Sequence, residues 1–154
     1  MSCFCPALGI ELPPRFTDTL GITQAEADMA YIYYNPNPTS NRVGDCTVRA
    51  ISKAMDCTWE TAYISLCAEG MDLRDMPSAN YVWGTYLLKN GFKQYLISSD
   101  CPNCVTVGEF AREHPRGVYV LATQNHVVCV EDGNVFDSWD SSDEVVLTYF
   151  AKEV

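Results

Sequence analysis

One segment of this chain prepares a thiol for chemistry. In Asn41-Arg42-Val43-Gly44-Asp45-Cys46-Thr47-Val48-Arg49-Ala50 a polar loop containing Gly44 runs into a helical pattern. Val48, Ile51, Ala54 and Met55 recur on one face, and a cysteine sits on the first turn. The first N–H groups of a helix lack intrahelical partners and carry the positive end of its dipole. They stabilise a thiolate, and the same groups can hold an oxyanion. Asp45 is suited to cap this helix. It also sets a carboxylate beside the thiol, which opposes ionisation unless a histidinium offsets it.

The chain has two histidines. His114, in Glu113-His114-Pro115-Arg116, reads as a solvent-facing cation at a helix end. His126 opens an apolar strand and is the candidate general base. Asp132-Gly133 supplies a two-residue hairpin turn that pairs residue 131 with 134, so His126 falls opposite Trp139 and Val128 opposite Asp137. His126 and Asp137 are then diagonal neighbours on one face, roughly 7 Å apart at the backbone, a gap two side chains can close. Asp140 points the other way. A three-residue loop would flip the parity and bring Asp140 or Ser138 to that face instead. Cys46 as nucleophile, His126 as base and Asp137 as the group that fixes its tautomer form the set a thiol hydrolase needs. Trp139, beside the pair, reads first as a packing residue.

Positioning these groups falls to elements legible in order. Residues 1–28 read as an N-terminal extension with Pro13-Pro14 and a short helix-prone stretch from Thr23 to Asp28, and residues 29–154 as one domain. Ala30 to Tyr34 is strand-like, and a turn-rich loop of Asn and Pro leads to the Cys46 helix. Thr58 caps a second helix that carries Trp59, Tyr63 and Leu66 on one face and ends near Gly70. A third runs from about Ser78 to Asn90-Gly91. Phe92 to Ile97 is a strand, and Thr106 with Glu109 forms a capping box for a short helix stopped by Pro115. Four strands follow: Gly117 to Thr123, His126 to Glu131, Asn134 to Trp139 and Val145 to Ala151. The expected fold is α+β, with N-terminal helices packed on a C-terminal antiparallel meander.

Gly-Asp-Cys46-Thr-Val-Arg-Ala at a helix start, followed far down the chain by His126-Val-Val-Cys-Val-Glu-Asp-Gly-Asn-Val-Phe-Asp137-Ser-Trp-Asp, resembles the papain-like cysteine peptidase superfamily. It is similar in particular to the small papain-fold proteins of bacteria and phages and to bacteriocin-processing peptidase domains. The resemblance covers about residues 30 to 154 in element order. It implies Cys46 as nucleophile, His126 as base and acid, and Asp137 as orienting residue, in a cysteine hydrolase acting on peptide or isopeptide bonds without a required cofactor. The superfamily usually adds a glutamine shortly before the cysteine to complete the oxyanion hole. This chain has none there, and Asn41 is the nearest side-chain amide; it is the candidate for that role or else a loop Asn making an Asx-turn.

The remaining cysteines admit other chemistry. Cys101-Pro-Asn-Cys104 has the spacing of a zinc knuckle, and Cys3 and Cys5 could complete four sulfur ligands for a structural zinc; the alternative is simple loop cysteines. A thioredoxin-like role needs the pair at a helix start, whereas the cap here is Thr106. Cys57, Cys67 and Cys129 fall among apolar residues and read as core.

With 20 acidic and 10 basic residues and a net charge of −10, the 154-residue chain is unsuited to phosphate backbones or anionic membranes. No apolar run nears the ~18 residues of a membrane span, and the N-terminus lacks the features of a signal peptide, so the expected compartment is the cytoplasm. Peptide or protein is the expected substrate and a basic protein the expected partner. Two readings compete with a hydrolase: acyl transfer through the same triad, and an acidic papain-fold binding or inhibitor protein without turnover.

Overall fold

The computed structural model describes residues 29–98 and 100–152; the N-terminal extension, its helix-prone stretch included, lies outside the described residues. The elements run β1 (Tyr31–Tyr33), α1 (Cys46–Ala54), α2 (Trp59–Leu73), α3 (Asn80–Lys89), β2 (Phe92–Leu96), α4 (Val107–Glu113), β3 (Val118–Ala122), β4 (Val127–Glu131), β5 (Asn134–Asp137) and β6 (Thr148–Lys152). This is an α+β fold around one six-stranded mixed sheet of order β1-β5-β4-β3-β6-β2.

The expected antiparallel meander holds for β3, β4 and β5 and fails at both flanks. β6 crosses back to pair with β3 and β2, and β1 pairs with β5 in parallel, Tyr33 beside Asp137. Both departures involve non-local pairings, for which neither a turn residue nor a period in the sequence is a signal. The hairpin itself follows its turn chemistry. Asp132 and Gly133 have φ of 48° and 76°, as a two-residue turn with two left-handed centres requires, and the register runs Glu131 to Asn134 and Cys129 to Phe136.

The sheet is covered on both faces. On one, Val120, Ala122, Val127, Cys129 and Phe150 pack with α1, α2 and α3; on the other, Leu121, Val128, Val130 and Val135 pack with Val107, Phe110 and Ala111 of α4. The alternation along β4 feeds both cores. This two-sided burial explains why Val127 to Val130 is a continuous apolar run rather than an alternating one. The expected arrangement of helices against one sheet therefore needs α4 moved to the opposite face. His114, at the end of α4, is half-buried rather than solvent-facing: its ring stacks on Phe110 at 3.8 Å and its Nδ1 lies 2.8 Å from the Phe110 carbonyl. Cys129 is buried as expected, while Cys57 and Cys67 are only partly so.

Local signals account for most helix ends. Thr58 accepts from the Thr61 N–H at 3.2 Å, and Thr106 with Glu109 forms the reciprocal capping box. α2, however, runs past Gly70 to Leu73 and stops at Arg74 in a left-handed conformation, φ 58°. Gly70 is an interior glycine because the returning chain packs on it: a Cβ there would stand 2.7 Å from the Asp75 carbonyl oxygen.

The central piece is α1, buried along Thr47 to Ser52 and at Ala54. Its Ile51 is fully buried, and Lys53 pairs with Glu131 across to β4 while lying 4.3 Å from the centre of the Phe136 ring. Tyr34, just after β1, adds a bond of 3.1 Å to Ser52. Truncating Ile51→Ala is expected to cost about 2–5 kcal/mol in urea unfolding. The same change at exposed Ile64 on α2 should stay within about 0.5 kcal/mol. Equal losses at the two positions would contradict a core centred on α1.

Candidate active site

The head of α1 points at the end of the sheet where β4 begins and β5 ends. Asp45 occupies the N-cap position, but its side chain makes no capping bond. Its carboxylate instead pairs with Arg49 one turn on and accepts from the Trp59 indole N–H at 2.9 Å. The expected capping role is corrected accordingly, and the first-turn N–H groups of α1 are left without that acceptor. The carboxylate expected to oppose the thiolate is drawn onto a guanidinium.

Cys46, half-buried, lines the same cleft as His126. Burial opposes its ionisation, but the influence of His126, the Val127 N–H and the Thr47 hydroxyl outweighs it, and its pKa falls below that of an ordinary thiol. His126 lies just before β4, fixed by a tight turn in which the Thr123 N–H donates to the His126 carbonyl at 2.9 Å. The other side of its ring reaches Asp137: His126 Nε2 lies 2.5 Å from Asp137 Oδ2. Burial disfavours the imidazolium, yet Asp137 and Cys46 together raise His126 to about 9.

Asp137, at the end of β5, is 2 % exposed and held by donors on several segments. The Ser141 hydroxyl donates at 2.7 Å, the Ser138 N–H at 2.7 Å and Arg49 at 3.4 Å. Burial pushes its pKa up, but His126, Ser141 and the Ser138 N–H hold it below the usual carboxylate range. The Asp137 backbone is tied as well, its carbonyl accepting the Tyr34 N–H at 2.7 Å from the end of β1.

The Cys46 thiol is thus coupled electrostatically to the His126 imidazole, which is in turn hydrogen-bonded to Asp137. Asp140 stays out of it, accepting from the Ser142 N–H and hydroxyl. Ser138 contributes its backbone to Asp137 rather than a side chain to His126. Asn41 is exposed and lines the cleft over Cys46; the acceptor in that loop is Asn37, whose side-chain oxygen takes the Thr39 N–H at 3.1 Å and the Asn41 N–H at 3.4 Å. Trp139 both packs and walls: its ring lies 5.0 Å from that of His126, and it remains 46 % exposed in the cleft.

The open cleft, about 530 Å³, runs between Tyr33, Asn35 and the 41–44 loop on one side and Asn125, Ser138 and Trp139 on the other. Among the described residues no Asp or Glu lines it, whereas Arg42 and Arg49 do. Three contributors escaped the sequence reading. Ser141 and the Val127 N–H carry no local signal. Arg49 does, as a basic residue four positions after an Asp on a helix.

Of the four expected zinc ligands, Cys101 and Cys104 have sulfurs 3.3 Å apart on one loop, and Cys3 and Cys5 lie outside the described residues. Among the described residues no group of three or more His, Cys, Asp or Glu is placed to hold a metal ion. No helix among them is long and apolar enough to cross a membrane.

Comparison with known proteins finds no matching family, no matching curated protein and no matching solved structure.

The paired shifts give opposite pH dependences. His126, raised from 6.5 to about 9, contributes stability that is complete below 6.5 and lost as pH rises through 9. Asp137, lowered, contributes stability that is present above the ordinary carboxylate pKa and lost as pH falls. An NMR titration of the His126 ring should therefore show a midpoint near 9, moving toward 6.5 in Asp137→Asn. A midpoint at or below 6.5 in the unmodified chain would refute the pairing.

Proposed function

We propose that this protein is a cysteine hydrolase of papain-like type, cleaving a peptide or isopeptide bond through a Cys46–His126–Asp137 triad. The observation that carries the reading is the line of thiol, imidazole and buried carboxylate, with Cys46 and His126 in one cleft, electrostatically coupled, and 2.5 Å between His126 and Asp137. Such a line supplies a nucleophile, a proton carrier and the group that orients it. The open cleft over Cys46, with Trp139 and Tyr33 as its aromatic walls, suits an extended peptide segment.

In the proposed reaction Cys46 gives its proton to His126 and its sulfur attacks the carbonyl carbon. The oxygen of the tetrahedral intermediate takes the negative charge and is held by first-turn N–H groups of α1, with the Asn41 amide at the rim of the same cleft. His126 then protonates the leaving nitrogen as the C–N bond breaks, leaving a thioester on Cys46. Water, deprotonated by His126, attacks the thioester; the C–S bond breaks, the carboxylate product leaves and the thiol is restored. Asp137 stays ionised throughout, as its four donors favour. A reducing cytoplasm would keep Cys46 in its reactive thiol form.

A peptide carrying an electrophilic ketone at its C-terminus tests this on the full chain. Cys46 should be modified far faster than the other seven cysteines, and His126→Ala should slow it by roughly 10²–10⁴-fold. Uniform labelling of the cysteines would overturn the hydrolase in favour of an acidic binding protein that keeps the fold without turnover.

A further inference from the structure

We propose that Arg49 is a positioning residue for the reactive thiol: its buried guanidinium draws the Asp45 carboxylate away from Cys46 and braces Asp137 behind His126. The inference rests on the reading of Cys46 and His126 as the reactive pair.

Arg49 is 7 % exposed, on the helix that carries Cys46 and one turn from it. A buried cation is retained only where its charge is matched, and here it meets two carboxylates, Asp45 in close contact and Asp137 at 3.4 Å. Its Nε is buried with no hydrogen-bond partner, a cost that an apolar side chain of similar size would avoid. Core packing therefore does not explain the residue, while charge does. The thiolate–imidazolium pair is neutral as a unit, so the surroundings decide whether it forms. With Arg49 present, one cation stands against two carboxylates. Without it, Asp45 is left as a buried, uncompensated negative charge next to a sulfur that must become negative, and it is also free to swing onto the first-turn N–H groups that would otherwise face the thiolate.

The charged and titratable groups around the sulfur are few. His126 comes from the lead into β4, Asp137 from β5, Asp45 and Arg49 from the head of α1, Arg42 from the preceding loop and Tyr33 from β1. Among them Asp45, the residue before Cys46, is the carboxylate that would oppose ionisation of the thiol directly once released from Arg49. That makes the effect of Arg49 separable from its packing.

The test is the pH dependence of Cys46 alkylation by iodoacetamide, read peptide by peptide in the full chain. In Arg49→Met the rate at pH 7 should fall at least tenfold and the profile should move to higher pH. Arg49→Lys should recover part of the loss, and Asp45→Asn added to Arg49→Met should recover most of it, although it restores no packing. Asp45→Asn alone keeps the guanidinium and should move the profile to lower pH, a readout that stands if Arg49→Met does not fold. A folded Arg49→Met with an unchanged profile would overturn the proposal, as would an Asp45→Asn profile that moves to higher pH. If Cys46 in the unmodified chain alkylates no faster than the other cysteines, the reactive pair itself fails and Arg49 has nothing to position.

Discussion

A carboxylate that is almost wholly withdrawn from water must find its hydrogen-bond donors inside the protein, and the site is arranged around that demand at Asp137. Its donors come from α1, from the turn before β4 and from the segment after β5, and its backbone is anchored by β1. No two of those pieces could shift independently without leaving a buried charge short of partners. The geometry between thiol and imidazole is a by-product of satisfying that one group. This is the physical sense in which the fold and the candidate chemistry are the same problem.

The charge of the whole chain and the charge of the cleft point in different directions. A net −10 made a basic partner the natural expectation, yet the carboxylates nearest the cleft, Asp45 and Asp137, are buried and already engaged, and the walls carry arginine and asparagine. Composition describes the field far from the protein, whereas a bound group meets the few charges that line the walls.

What could be read from the sequence followed from local chemistry. The Asp132-Gly133 turn fixes a register, the register fixes which side chains share a face, and so His126 and Asp137 could be paired before any coordinates existed. The caps at Thr58 and Thr106 and the helix opened by Cys46 have the same local origin. Non-local pairings escaped. Nothing in Tyr31 to Tyr33 indicates a parallel partner, and nothing in Thr148 to Lys152 indicates a strand that bypasses β5 and β4 to reach β3. Ser141 was invisible for a related reason, since a serine four residues past an aspartate acquires meaning only once the chain turns back on it. Gly70, a conventional helix stop by type, is an interior residue because of what lies against it.

The thiol sits early in the chain, and the imidazole and carboxylate aligned with it arrive late. β1 and α1 are synthesised well before β4 and β5, yet among the described residues β1 has no sheet partner other than β5. Until the β4–β5 hairpin has emerged and closed, a nascent chain therefore holds Cys46 without His126 and Asp137 in place beside it. On the proposed reading, reactivity would belong to the finished molecule, and a competent sulfur would appear only with completion of the sheet.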